Sequence, residues 1–260
     1  MSLPEVVTVL LAGIAAGTMN AVVGSGTLIS FPVLLAIGLP PVTANISNTI
    51  GLVPGSVGGA WGYRRELTGQ RRRVLVLGTA SLLGGLTGGI LLLVLPPEVF
   101  EVVVPVLVCL ALVLIVSQPR INRVVLSRRE RRGRLGRPSS ITLPAAGSLS
   151  TGVYGGYFGA SQGILLIGIL GVLVPDELHR LNALKNVLVG LVNGTAALLF
   201  AVLWVAGDAP VAWGAAALLA VGSLTGGLLG GRYGRLLPPA FLRGLIVVIG
   251  LFAVVQLVAG

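Results

Sequence analysis

Charge is the scarcest thing in this sequence, and where it falls constrains the fold more than any other feature. Charged residues make up 10% of 260, against 55% hydrophobic. A soluble domain carries about 25% charged residues because its surface must face water. Too few charges exist here to coat a globule, so much of the surface must face lipid. The 39 glycines fit the same setting, since small residues let helix backbones approach closely within a bilayer.

The net charge of +10 does not point to nucleic acid. Its positive residues stand in clusters: Arg64 to Arg73, Arg120 to Arg137, Arg180 with Lys185, and Arg232 to Arg243. These clusters separate apolar stretches, as cytoplasmic loops do under the positive-inside rule. No basic domain is separable from the hydrophobic mass. One cysteine, Cys109, makes neither a disulfide nor a multi-cysteine metal site by itself. The opening Met1-Ser2-Leu3-Pro4-Glu5 lacks a basic leader region, so the first apolar stretch is expected to stay as a membrane segment.

A helix crosses the hydrocarbon with about 20 apolar residues. Six stretches fit: Val42 to Trp61, Val74 to Leu95, Val99 to Val116, Leu184 to Val205, Val211 to Leu229 and Phe241 to Val258. Two more, Leu3 to Leu39 and Ile141 to Val174, are too long for one helix. Each is interrupted by a polar, glycine-rich patch: Gly24-Ser25-Gly26-Thr27 in one, Gly155 through Gly163 in the other. Glycine costs about 1 kcal/mol against alanine inside a helix, so both patches read as breaks.

The chain repeats itself. Leu86-Thr87-Gly88-Gly89 recurs as Leu224-Thr225-Gly226-Gly227, and Leu95-Pro96-Pro97-Glu98-Val99-Phe100 is echoed by Leu237-Pro238-Pro239-Ala240-Phe241. Each half opens with a glycine-broken stretch followed by an asparagine-bearing helix. The expected fold is an all-α integral membrane protein of two homologous halves, residues 1–118 and 141–260, joined by a basic cytoplasmic linker over 119–140. If each broken region crosses twice, each half has five segments, and an odd number inverts the second half. All the basic loops then share one side and both termini lie on the other. A single crossing would place Arg232 to Arg243 opposite the remaining basic loops, so inverted repeats satisfy the positive-inside rule better. The chain is expected in the plasma (inner) membrane, multi-pass, with a lipid bilayer as its surroundings and homo-oligomers allowed.

Every carboxylate lies in a loop or near a segment end: Glu5, Glu66, Glu98, Glu101, Glu130, Asp176, Glu177 and Asp208. Cation transporters and proton relays use intramembrane carboxylates, and metal enzymes need clustered ligands; neither pattern is present, and no cofactor is expected. The intramembrane polar set is neutral or positive: Asn20, Ser25, Thr27, Asn45, Asn48, Ser161, Gln162, Asn182, Lys185 and Asn186. With the break glycines Gly24, Gly26, Gly159 and Gly163 it forms the candidate substrate site. Asn182, Asn186 and Asn193 share a helical face, as do Asn45, Thr49 and Ser56. Amides and hydroxyls donate to an anion, and broken helices aim positive dipole ends inward. The competing readings are that each Asn only ties neighbouring helices together, and that Lys185, near a segment end, snorkels to the interface. A membrane scaffold and an enzyme acting on a lipid phosphate are the alternative functions.

Ala12-Gly13 through Gly24-Ser25-Gly26, then Phe31-Pro32-Val33-Leu34, Gly38-Leu39-Pro40-Pro41 and Ala44-Asn45, resemble the TauE/SafE sulfite-exporter family. The resemblance runs nearly end to end, including the duplicated halves and the basic central loop. It implies export of sulfite, sulfoacetate or a related small organic anion. The family shows a denser glycine run at each break. Here Ser25, Thr27, Ala160, Ser161 and Gln162 add side chains, which alter which anion fits.

Overall fold

A computed structural model describes residues 1–133, 140–233, 244, 246–251 and 254. Among them it is helical throughout, with nine α-helices: α1 (Leu3–Val22), α2 (Thr27–Ala36), α3 (Pro41–Gly62), α4 (Arg71–Val94), α5 (Pro97–Gly133), α6 (Thr142–Tyr157), α7 (Gln162–Leu173), α8 (Leu178–Ala206) and α9 (Trp213–Tyr233). A short 3-10 turn, Arg64–Leu67, joins α3 to α4. Five are long and apolar enough to cross a membrane: α1, α4, α8, α9 and the Pro97–Val124 part of α5. At 22 residues α3 has the length, but Asn45, Ser47, Asn48 and Thr49 keep it more polar. The chain is a multi-pass membrane protein.

Both expected breaks are present, and one mechanism makes them. The α1 end closes with Gly24 N–H bonded to the Met19 carbonyl at 2.9 Å, and the α6 end with Gly159 N–H bonded to the Tyr154 carbonyl at 3.1 Å. Gly24 and Gly159 sit at φ of 86° and 78°, the left-handed conformation that ends helices and that glycine adopts without strain. Short helices follow each break, of 10 residues in α2 and 12 in α7.

The packing exchanges helices between the halves. The α9 helix packs on α1 and α3, while α4 packs on α6 and α8. The repeated Leu-Thr-Gly-Gly motif forms these seams. A Cβ on Gly88 would meet the Val153 carbonyl at 2.1 Å, and one on Gly226 the Ile14 carbonyl at 2.0 Å. The seams are therefore backbone against backbone.

Basic segments meet at one end of the bundle. Gln70 Nε2 donates to the Arg180 carbonyl at 3.1 Å, Arg180 donates to the Thr68 carbonyl at 3.1 Å, and Arg73 pairs with Asp176. Gly62 and Gly231, at the ends of α3 and α9, touch there too. The linker begins as helix, since α5 continues beyond 118 to Gly133. Pro119 lies inside this helix without ending it, although a helical proline removes one hydrogen bond and crowds the carbonyl four residues back. The Phe241 to Val258 segment and the Leu237-Pro238-Pro239 echo lie largely or wholly outside the described residues.

Candidate functional site

The two breaks touch. Gly163 N–H donates to the Gly24 carbonyl at 3.1 Å, and a Cβ on Gly24 would lie 2.5 Å from the Gly163 Cα. Around this contact Asn20, Ser25, Thr27, Asn45, Asn48, Ser161, Gln162, Lys185 and Asn186 are all buried, with Asn182 half-buried. The candidate residues from both halves thus converge on the junction. Helices α2 and α7 both start there, so two positive dipole ends point at it.

Lys185 overturns the snorkelling reading. Helix α8 begins seven residues earlier, at Leu178, and Lys185 is 0% exposed. Its Nζ donates to the carbonyls of Asn20 at 3.1 Å and Ala21 at 3.2 Å. The negative end of α1 holds the ammonium inside, where a cation at a helix C-terminus is favoured. No carboxylate among the described residues pairs with it; Asp176 pairs instead with Arg73 and Arg180. An ammonium has three donors, and the carbonyls take two.

The asparagines divide their roles. Asn182 and Asn186 both donate to the Ala21 carbonyl, at 3.4 and 3.3 Å. From the first half of the chain, Asn45 donates to the Tyr157 carbonyl at 2.9 Å. Each asparagine-bearing helix therefore caps the broken helix of the other half. Asn48 accepts from Ser30 and donates, at 3.4 Å, to Thr27 Oγ1. Asn20 and Asn193 both reach Ser56 Oγ, at 3.1 and 3.5 Å. Three buried oxygens near the breaks, Ser25 Oγ, Asn45 Oδ1 and Gln162 Oε1, have no hydrogen-bond partner among the described residues, an expensive state for buried polar groups.

The two approaches to the junction differ. Towards the basic end a cavity of about 300 Å³ runs from Tyr63 and His179 inward to Val23 and Asn182, with Gln118 and Asn122 on its wall. On the other approach Phe158, inside the second break, packs edge-on against Phe31 at 5.3 Å between ring centres. Phe100, in the first turn of α5, closes against Phe158 at 6.2 Å and Tyr157 at 5.7 Å. Tyr154 turns inward too, its hydroxyl donating to the Ala160 carbonyl. Neither the aromatic cluster nor the cavity wall was legible in sequence. Four apolar rings on three helices and a break, and single polar residues near loops, carry no periodic signal.

The sequence profile described as sulfite exporter TauE/SafE matches residues 9–257. The chain belongs to the TauE/SafE family. Curated relatives of this TauE/SafE protein are named as membrane transporters. A probable membrane transporter protein, YfcA, of Escherichia coli (strain K12) is 25% identical over 236 residues, covering 90% of this chain and 82% of the relative. A probable membrane transporter protein of Haemophilus influenzae is 23% identical over 246 residues, 95% of this chain and 91% of the relative. One from Sinorhizobium sp, ORF9, is 24% identical over 257 residues, with 95% and 90% covered. No solved structure matches. This TauE/SafE chain is a membrane transporter.

Proposed function

We propose that the chain exports a small anion, such as sulfite, a sulfonate or another organosulfur or carboxylate anion, bound between the broken helices of the two halves. One observation carries the reading: the buried Lys185 side chain lies at the junction with no carboxylate partner among the described residues. An unpaired buried charge is costly, and a bound anion offsets that cost. The α2 and α7 dipole ends add to the attraction. Outward movement of an anion is favoured by the inside-negative potential by about 2.3 kcal/mol per charge per 100 mV, so export runs without a coupling carboxylate.

The proposed site comprises Gly24 to Thr27, Gly159 to Gly163, Asn20, Asn45, Asn48, Asn182, Lys185 and Asn186. The cavity at the basic end is the entry, and the aromatic cluster closes the exit in this conformation. An inverted repeat of residues 1–118 and 141–260 is supported by the exchanged helix pairs and the matched asparagine caps. With the basic end cytoplasmic in the plasma membrane, the cavity faces the cytoplasm.

The test is ligand stabilisation followed by flux. Purified protein is heated with sulfite, sulfate, thiosulfate, sulfoacetate, taurine and short carboxylates, with sodium and choline salts as controls. A ligand that binds only the folded state raises apparent stability. The expected result is stabilisation by one or two sulfur anions and uptake of the same anions into proteoliposomes. Stabilisation by a cation or a lipid phosphate alone, with no anion flux, would overturn the reading.

A further inference from the structure

At the basic end, away from the junction, an open cavity of about 790 Å³ lies between the ends of α3 and α9. Arg64 and Arg65 line it from the 3-10 turn and Arg232 from α9, with Glu66 the acidic residue on its wall. Three guanidiniums face one carboxylate, so the cavity is net positive. Two of the three are pre-positioned by aromatic rings. Arg64 lies 4.9 Å over the Trp61 ring and also donates to the Trp61 carbonyl at 3.2 Å; Arg232 lies 5.3 Å over Tyr233. A guanidinium presents five donors in a planar fork suited to phosphate, so these contacts leave several available.

The cavity does not open to water alone. Its lining includes Trp61, 62% exposed, and Leu228, 42% exposed. One turn further into the bilayer stand Val57 at 59% and Leu224 at 40%. These side chains form two apolar ridges along the seam where α3 and α9 meet glycine to glycine, Gly62 against Gly231. A shallow apolar groove thus runs along the membrane face and ends beneath the arginines.

We infer that this groove binds an acidic phospholipid, its phosphate between Arg64, Arg65 and Arg232 and an acyl chain along the α3–α9 seam. A free anion would use the arginines and gain nothing from the ridges; a neutral lipid would use the ridges and gain less from the arginines. The combination selects a lipid with net negative charge, because basic residues at the membrane surface attract anionic headgroups. The inference stands apart from the identity of the transported anion.

Trp61 reports on its own site. Trp204 and Trp213 pack on each other at 5.2 Å and do not line this cavity, so Trp204→Phe with Trp213→Phe leaves Trp61 as the sole tryptophan, excited at the red edge where tyrosine does not absorb. The full-length protein is reconstituted in phosphatidylcholine with rising fractions of phosphatidylglycerol or phosphatidylcholine brominated on the acyl chain. Half-maximal quenching is expected at a mole fraction at least fivefold lower for phosphatidylglycerol. Arg64→Gln with Arg65→Gln and Arg232→Gln is expected to bring that ratio close to one. Should the triple variant not fold, Arg65→Gln alone is expected to reduce the preference at least twofold. Equal quenching by both lipids, or a preference that survives in the folded arginine variants, overturns the inference. Loss of the preference on adding millimolar inorganic phosphate overturns it too, because the site would then serve a free anion.

Discussion

The Gly163 amide donates to the Gly24 carbonyl at 3.1 Å, so the helix breaks of the two halves are held by a single backbone bond across the centre of the molecule. Glycine is required on both sides. Gly24 has a φ of 86°, and a Cβ there would meet the Gly163 Cα at 2.5 Å. Gly24→Ala adds about 1–2 kcal/mol for the left-handed backbone, besides forcing the breaks apart. The expected outcome is membrane insertion at normal levels with anion flux reduced at least tenfold. Normal flux in proteoliposomes from a correctly inserted variant would show that the contact does not shape the site.

Lys185 separates charge from packing. Lys185→Met keeps the length of the side chain and removes the ammonium. It also leaves the Asn20 carbonyl without its Lys185 donor, which costs about 1–3 kcal/mol, while the Ala21 carbonyl keeps Asn182 and Asn186. Anion stabilisation is expected to vanish and flux to fall about a hundredfold, equal to about 2.7 kcal/mol at 1.36 kcal/mol per factor of ten. Lys185→Arg, bulkier but charged, is expected to keep part of the binding. Thermal shifts with the cognate anion check both. Equal loss in the two variants would assign Lys185 to packing.

How far the sequence revealed this site depended on the kind of signal. The breaks were legible because Gly24 and Gly159 stop helices by backbone geometry that no other residue adopts as readily. Helical spacing placed Asn182 and Asn186 on one face, and both reach the Ala21 carbonyl. The direction of Lys185 was not legible. Its distance from a helix end suggested the interface, but the carbonyls of Asn20 and Ala21 at the end of α1, more than 160 residues away in sequence, turn it inward. Likewise, Leu-Thr-Gly-Gly marked a repeat without saying that each copy packs on the opposite half. Such exchange is a property of tertiary pairing, and local pattern is silent about it.

The aromatic closure of Phe158 against Phe31 and Phe100 predicts a leak. Phe158 is 1% exposed, and truncating a buried Phe costs about 3–5 kcal/mol. Phe100→Ala, equally buried but on α5 rather than in the break, opens the exit with less disturbance of the break. Both variants are expected to show faster anion exchange and a slow leak of anions that the parent does not carry, with Phe158→Ala also less heat-stable. Passive efflux of a dye-linked anion from liposomes checks this. An unchanged leak in Phe100→Ala would mean that the cluster only packs the core.

The exchanged seams make the last prediction, because the two copies of one motif are asked to behave alike. Gly88 meets the Val153 carbonyl and Gly226 the Ile14 carbonyl at virtual Cβ distances of 2.1 and 2.0 Å. A methyl at either place collides with backbone, which cannot rotate away as a side chain would. Overpacking of this kind costs about 1–3 kcal/mol. Gly194, within α8, is the control, since a Cβ there meets nothing within 4 Å, and alanine gains up to about 1 kcal/mol in helix propensity. Gly88→Ala and Gly226→Ala are therefore expected to lower the unfolding midpoint of the purified protein by similar amounts, and Gly194→Ala to leave or raise it. Thermal unfolding followed by size-exclusion chromatography measures all three. A loss at Gly226 without one at Gly88 would show that the two copies of the motif do unequal work in holding the exchanged halves together.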